Sequence, residues 1–225
     1  MTNLESIFKQ FMEQDRTARN LDDYVDEFLN PNGGQYQRAD YLLDNSRFII
    51  ELKSIDTDPT PNIENKLNKI LETDEWLQRN FWGRVHMEEL ISKHPNAYKF
   101  RRELMDVAYR NIKQLIRSAE KQIASTKLRL NLEKSIGGLI ILNDNIKVLE
   151  ADTTADAIEH SMMNSNYKNV EFVIYIYEAL EKETNTVNVI GVVDGDSPRV
   201  EFIKWYISNV FSFNWASFTG RAISR

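Results

Sequence analysis

A short hydrophobic strand carries an acid and a base on one of its two faces. The segment reads Ile49-Ile50-Glu51-Leu52-Lys53. Because strand side chains alternate between faces, Glu51 and Lys53 share the face opposite Ile50 and Leu52. A carboxylate and an ammonium are costly to bury unless they pair or meet a ligand. The pattern therefore indicates a place where chemistry could be done.

The preceding residues predict a β-hairpin that brings a second carboxylate to this strand. Residues 38–43 and 47–55 have strand composition, and the residues between them are typical of a tight turn. A two-residue loop at Asn45-Ser46 places Asp40 directly opposite Glu51, with Cβ atoms about 4.5–5.5 Å apart. Another loop length would shift this register.

Facing carboxylates repel each other unless a divalent cation lies between them. Asp40 and Glu51 would then form an oxygen site of the kind that Mg²⁺ prefers. Lys53, one step along on the same face, could orient a water molecule or stabilise the charge of a phosphate group. The alternative is a cross-strand ion pair of these three residues on a solvated sheet face.

Asp40, ten intervening residues and Glu51-Leu52-Lys53 on a hydrophobic strand resemble the core motif of the PD-(D/E)xK nuclease superfamily. The resemblance implies an α/β, restriction-endonuclease-like fold, in which helices flank a mixed central sheet. It implies that Asp40 and Glu51 ligate Mg²⁺, for which Mn²⁺ can substitute, and that Lys53 assists the attacking water. Ala39 stands where the motif has its proline.

The resemblance and the helix composition suggest further residues at such a site. An acidic residue from an early helix can complete the metal site in this superfamily, and Glu27 is the candidate here. Gln37 could contact substrate from a loop, and Arg117, Lys121 and Gln122 could do so from a long basic helix. A solvated acidic face, a polar loop and a solvated helix are the alternative interpretations.

Hydrophobic periodicity predicts the elements that must position these residues. A single domain over 1–225 is expected, with a nuclease core at about 20–145 and a C-terminal elaboration at about 146–225. Residues 79–96 are expected to be irregular or partly helical. The predicted helices cover 3–14, 21–29, about 62–78, 97–125, 154–164 and 199–210, and the further strands cover 137–142, 170–177 and 187–193.

Composition narrows the function classes. The chain has no cysteine, which excludes disulfides, thiolate metal sites and cysteine nucleophiles. A cytoplasmic protein is expected, because no segment reads as a signal peptide or a membrane span. The net charge of −6 argues against nucleic-acid binding, although a metal-dependent phosphodiester site is itself acidic.

These observations predict a Mg²⁺-dependent nuclease that hydrolyses phosphodiester bonds in nucleic acid, with DNA the expected substrate. A homodimer or a protein partner could supply the basic surface that the chain lacks. The alternative function is a non-cleaving module of the same fold that binds nucleic acid or protein, for example within a defence or mobile-element complex.

Overall fold

The computed structural model of the chain describes residues 3–32, 34–55, 57–83, 86–144, 146, 148–149, 151–177, 186–193 and 195–224. Over these residues the fold is mixed α/β, with a seven-stranded mixed sheet flanked by helices. The predicted α/β class is confirmed at this level.

The strands lie in the sheet in the same order as in the chain. Pairs β3–β4, β4–β5 and β6–β7 are parallel, and the other neighbours are antiparallel. The middle strand, β4, is buried along its whole length, as its uninterrupted apolar sequence predicts. The strands are β1 (Arg19–Asn20), β2 (Tyr41–Leu43), β3 (Phe48–Ser54), β4 (Ile136–Asn143), β5 (Phe172–Tyr177), β6 (Thr186–Val193) and β7 (Ala222–Ser224).

Helices account for most of the remaining described chain. The last two helices are joined by a π-helical turn at Ile207–Phe211. The aromatic residues that follow this turn have no clear helical periodicity in the sequence, but they lie in a helix. The helices are α1 (Leu4–Gln14), α2 (Thr60–Thr73), α3 (Glu75–Asn80), α4 (Met87–Lys93), α5 (Ala97–Leu130), α6 (Ala151–Met163), α7 (Pro198–Tyr206) and α8 (Ser212–Thr219).

The two faces of the sheet are covered by different helices. On one face, Phe8 of α1, Ile203 of α7 and Trp215 of α8 join the even-numbered apolar residues of β3, β4 and β5 in one buried cluster. On the other face α5 comes close to Gly137, where an added Cβ would lie 2.7 Å from Ile123 Cγ2. Glu51 has an odd number and so is not part of this cluster, whereas Lys53, near the end of β3, lines a cleft against α1.

The chain forms two compact units. The unit that carries the sheet comprises Met1–Asp56 and Ile112–Arg225, and a helical unit comprises Thr57–Asn111. Within the helical unit, the helix predicted at about 62–78 is divided at Asp74. The Asp74 side chain accepts hydrogen bonds from the backbone N–H groups of Trp76 and Leu77, so it caps a new helix at this point.

The helix predicted over 21–29 is wrong. The segment forms two short 3₁₀ turns, Leu21–Asp23 and Asp26–Phe28. Between them Tyr24 leaves the helical region, with φ −108° and ψ 44°. Leu21 and Phe28 are buried, so the apolar spacing that indicates a helix here reflects two separate anchors to the core.

Candidate functional site

The hairpin that carries Asp40 and Glu51 has the predicted loop and register. The backbone N–H of Arg47 donates to the Asp44 carbonyl at 3.1 Å, and Asn45 and Ser46 have positive φ angles of 54° and 67°. Positive φ at both central residues suits the right-handed twist of a hairpin. Tyr41 pairs with Ile50 in this register, so Asp40, one residue earlier, lies opposite Glu51.

Asp40 is fixed to the hairpin by its backbone and its side chain. Its Oδ2 accepts a hydrogen bond of 2.7 Å from the backbone N–H of Leu52, and its own N–H donates to the Ile50 carbonyl at 3.1 Å. Burial raises the pKa of the Asp40 carboxyl, against the opposing effects of the Leu52 hydrogen bond and the Lys53 charge. The side chain is half-buried and still reaches the surface.

Glu51 is fully buried, and its oxygens lack hydrogen-bond partners. Lys53 Nζ lies 2.5 Å from Glu51 Oε1, but neither oxygen takes part in a well-formed hydrogen bond with the described residues. Burial, followed by the nearby Asp40 charge, raises the pKa of Glu51 to about 8 from an ordinary 4.5, despite the adjacent Lys53. Burying a carboxyl group without well-formed hydrogen bonds costs free energy.

The two carboxyl groups fit a divalent cation. Asp40 lies opposite Glu51 in the hairpin, and its charge contributes to the raised pKa of Glu51; together the two groups offer hard oxygen ligands. The described part of the chain has no group of three or more His, Cys, Asp or Glu placed as a metal cage. A Mg²⁺ site needs only one or two carboxylates, because Mg²⁺ retains several of its waters.

Helix α5 holds the segment that leads into Asp40. The Ala39 N–H donates to Thr126 Oγ1 at 2.8 Å, and that hydroxyl donates to the Gln122 carbonyl at 2.9 Å. The Gln122 side chain donates to the Arg38 carbonyl at 3.1 Å. Proline has no N–H, so the Thr126 bond gives a physical reason for alanine in the motif's proline position.

The other sequence-predicted residues lie away from the carboxyl pair. Glu27 is exposed on the second 3₁₀ turn, and Gln37 is exposed in the connector before β2. Arg117 and Lys121 are exposed on α5. None of these four has a contact with Asp40 or Glu51 among the described residues. Gln122 was predicted to contact substrate, but its side chain bonds to the backbone of Arg38 before Asp40.

A cleft of about 550 Å³ adjoins Asp40 and Lys53. Its opposite wall is α1, which sequence reasoning did not connect with the site. One sign in the sequence that α1 could face the site was a Glu-Lys pair four residues apart on an amphipathic helix. Such pairs are common on any solvated helix, so this sign is not specific. The charged residues that line the cleft are Glu5, Lys9, Glu13, Asp22, Asp40 and Lys53.

Comparison of the chain with protein-family models, with curated proteins and with solved structures found no match. The likeness to PD-(D/E)xK nucleases therefore depends on the motif and on the geometry of the hairpin. A search of the described helices for one that is long and apolar enough to span a bilayer found none.

Proposed function

We propose that this chain is a Mg²⁺-dependent nuclease of the PD-(D/E)xK type, with a restriction-endonuclease-like fold and DNA as its substrate. One observation carries the proposal. Glu51 is buried with both oxygens lacking hydrogen bonds, and it faces Asp40 across a hairpin and touches Lys53. Such an arrangement opposes folding unless it serves a ligand.

The elements that follow the hairpin support the same proposal. The superfamily pattern has a helix before the hairpin and a helix followed by a strand after it. The segment 21–29, which was expected to supply the first helix, forms 3₁₀ turns, whereas α5 and β4 follow the hairpin as the pattern requires. Strand β4 pairs in parallel with β3, so the strand that carries Glu51 and Lys53 lies inside the sheet and is held on both sides.

Asp40 and Glu51 would hold the cation. Bound Mg²⁺ would polarise the scissile phosphate and lower the pKa of a bound water molecule. Its charge would also keep both carboxyls ionised, which reverses the effect of burial on their pKa values.

Lys53 would then serve the substrate. Its ammonium now pairs with Glu51, and its side chain is 25 % exposed. A cation shared between the two carboxylates would weaken this pair, so the ammonium could turn toward a phosphate oxygen or the attacking water. Hydrogen bonds to that charge in a partly buried site stabilise the transition state.

Cleavage assays test the proposal directly. Supercoiled plasmid, linear duplex and single-stranded DNA are incubated with Mg²⁺, with Mn²⁺ and with EDTA. Asp40→Asn and Lys53→Ala should each lower the cleavage rate by roughly 10²-fold or more, as for other groups that stabilise transition-state charge. Asp23→Asn and Lys204→Ala, which change exposed residues elsewhere, are the matched controls.

Cleavage that persists in EDTA or in Asp40→Asn would rule out this site as its source. The same preparations also test the non-cleaving module: the Lys53–Glu51 ion pair favours a site without metal, and the net charge of −6 favours a protein partner over nucleic acid. That function predicts that nucleic acid or protein binds without being cleaved. It also predicts that Asp40→Ala and the wild type show the same Mn²⁺ binding by calorimetry.

A further inference from the structure

We propose that Lys9 of α1 contacts the substrate, and that a nucleic-acid strand approaches the carboxyl pair through the cleft between α1 and the hairpin. This inference depends on the proposed nuclease function and concerns the direction from which the substrate reaches the site. It places the substrate-binding cation on α1, whereas the sequence alone favours Arg117 and Lys121 on α5.

The cleft gives access to two of the three site residues. Asp40 and Lys53 both line it, together with Lys9. On the other side of the hairpin, Gln122 and Thr126 bond to the backbone at Arg38 and Ala39. No residue of α5 lines the cleft in the described part of the chain.

Helix α1 is attached firmly enough to present a substrate-binding residue. The N–H of Leu4 donates to Asp144 Oδ2 at 3.1 Å, which ties the start of the helix to the end of β4. The Ser54 hydroxyl donates to Glu5 Oε2 at 2.8 Å. Ser54 follows Lys53 directly, so this bond fixes the first turn of α1 beside the site.

Lys9 lies one turn further along α1 and can exchange its partner. Its Nζ lies 2.5 Å from Glu5 Oε1, and its side chain is 54 % exposed. An exposed ion pair contributes little stability, so a phosphate oxygen can replace Glu5 as the partner of Lys9. Glu5 keeps its bond to Ser54 in that event.

The charge of the cleft makes this role depend on a bound cation. Two ammonium groups, Lys9 and Lys53, face the four carboxyls of Glu5, Glu13, Asp22 and Asp40. With all of them ionised the cleft carries a net negative charge and repels a phosphodiester. Binding should therefore require a divalent cation at the carboxyl pair, with Lys9 supplying the further positive charge.

The test measures DNA binding apart from cleavage. Fluorescence anisotropy with a labelled duplex is recorded in Ca²⁺ in place of Mg²⁺, over a series of salt concentrations. Lys9→Ala should weaken binding roughly tenfold, the usual effect of losing one charge-assisted hydrogen bond. It should also reduce the slope of log affinity against log salt by about 0.9, the value for one lost phosphate contact.

The chain offers a matched control. Lys93 pairs with Glu89 at the same i,i+4 spacing and the same 2.5 Å distance, on an exposed surface of α4. Lys93→Ala should therefore bind like the wild type, and Lys9→Arg should retain most of the affinity. In Mg²⁺, Lys9→Ala should raise KM for cleavage and change kcat little.

Two results would overturn the inference. One is a Lys9→Ala variant with wild-type affinity and salt slope. The other is a loss of affinity in Lys121→Ala without a loss in Lys9→Ala, which would place the substrate on the α5 side. Absence of cleavage together with Lys9-dependent binding would instead overturn the nuclease function and leave the contact standing.

Discussion

Glu51 on β3 and Glu120 on α5 are two carboxyl groups removed from solvent to different extents, and their surroundings differ. Glu120 accepts hydrogen bonds from the backbone N–H groups of residues 168, 169 and 170 and from the Asn169 side chain. Glu51 has one ammonium nearby and no well-formed hydrogen bond among the described residues. Burial opposes ionisation of both, but the outcomes differ.

The difference separates a carboxylate that builds the fold from one that weakens it. Burial would raise the pKa of Glu120, but its hydrogen bonds outweigh burial and the pKa is lowered. The pKa of Glu51 is raised to about 8. Groups held in an unfavourable state are typical of functional sites, whereas satisfied groups are typical of scaffolds. Glu51 has an ion pair with Lys53 but lacks the set of hydrogen bonds that holds Glu120.

The largest loss of stability is expected at Glu120. Glu120→Ala removes the acceptor for three backbone N–H groups in the turn that leads into β5. We expect a loss of roughly 2–3 kcal/mol in the free energy of unfolding, since a buried donor left unpaired costs about 1–3 kcal/mol and these donors are partly buried or, at Lys168, exposed. Urea unfolding followed by circular dichroism measures it, and Glu159→Ala on the exposed surface of α6 is the control.

The lowered pKa of Glu120 also predicts how the stability of the protein changes with pH. Because its folded pKa is lowered, its stabilisation is present above the unfolded pKa and is lost as pH falls through the folded pKa. Stability of the wild type should therefore decrease on acidification more than that of Glu120→Gln. A Glu120→Ala variant as stable as the wild type would mean that this carboxylate is not a scaffold element.

The opposite sign is expected at Glu51. Between about 4.5, the ordinary pKa, and about 8, the folded chain holds a proton that the unfolded chain has released. Its free energy of unfolding should therefore decrease as pH rises through this range. In EDTA, Glu51→Gln should be roughly 4 kcal/mol more stable than the wild type at pH 8, from the difference between pKa values of about 4.5 and about 8 at about 1.4 kcal/mol per pKa unit.

Thermal unfolding at several pH values checks this prediction. The two proteins should converge as pH falls below about 4.5, where the Glu51 carboxyl becomes protonated in both states. Adding Mg²⁺ at pH 8 should stabilise the wild type and leave Glu51→Gln unchanged. If the stability of the wild type and of Glu51→Gln changed with pH in the same way, the contrast between Glu51 and Glu120 would be contradicted.

Sequence reasoning reached the hairpin because the hairpin is local. Alternation along the strand and the composition of the turn place Asp40 opposite Glu51, and both signals lie within fifteen residues. It missed Thr126, which bonds to a residue 87 positions away. A threonine within the apolar stripe of a helix has no feature that distinguishes such a bond from ordinary packing.

The same limit explains the errors around the site. The spacing of Leu21 and Phe28 fits a helix, but their burial depends on core contacts that the local sequence does not encode. The cleft is formed by α1 and a hairpin some thirty residues later, joined through Glu5 and Ser54. Whether a charged helical residue faces solvent or a cleft is decided by tertiary packing.

Thr126 tests whether scaffold and site can be separated at all. It lies on α5 with Glu120 and is fully buried, but its hydroxyl bonds to the residue before Asp40. Thr126→Val removes the hydroxyl and preserves shape, so we expect a loss of roughly 1–2 kcal/mol from the unpaired Ala39 N–H.

A positioning role for Thr126 predicts more than that loss of stability. If Thr126 positions Asp40, Thr126→Val should also lower kcat for cleavage and weaken Mn²⁺ binding at temperatures where the variant is fully folded. Thr126→Ser, which keeps the hydroxyl, should restore both. If Thr126 belongs only to the scaffold, the valine variant should lose stability and keep wild-type kcat and Mn²⁺ affinity. In that case Asp40 is held by its own bond to Leu52, and the functional site is confined to the hairpin.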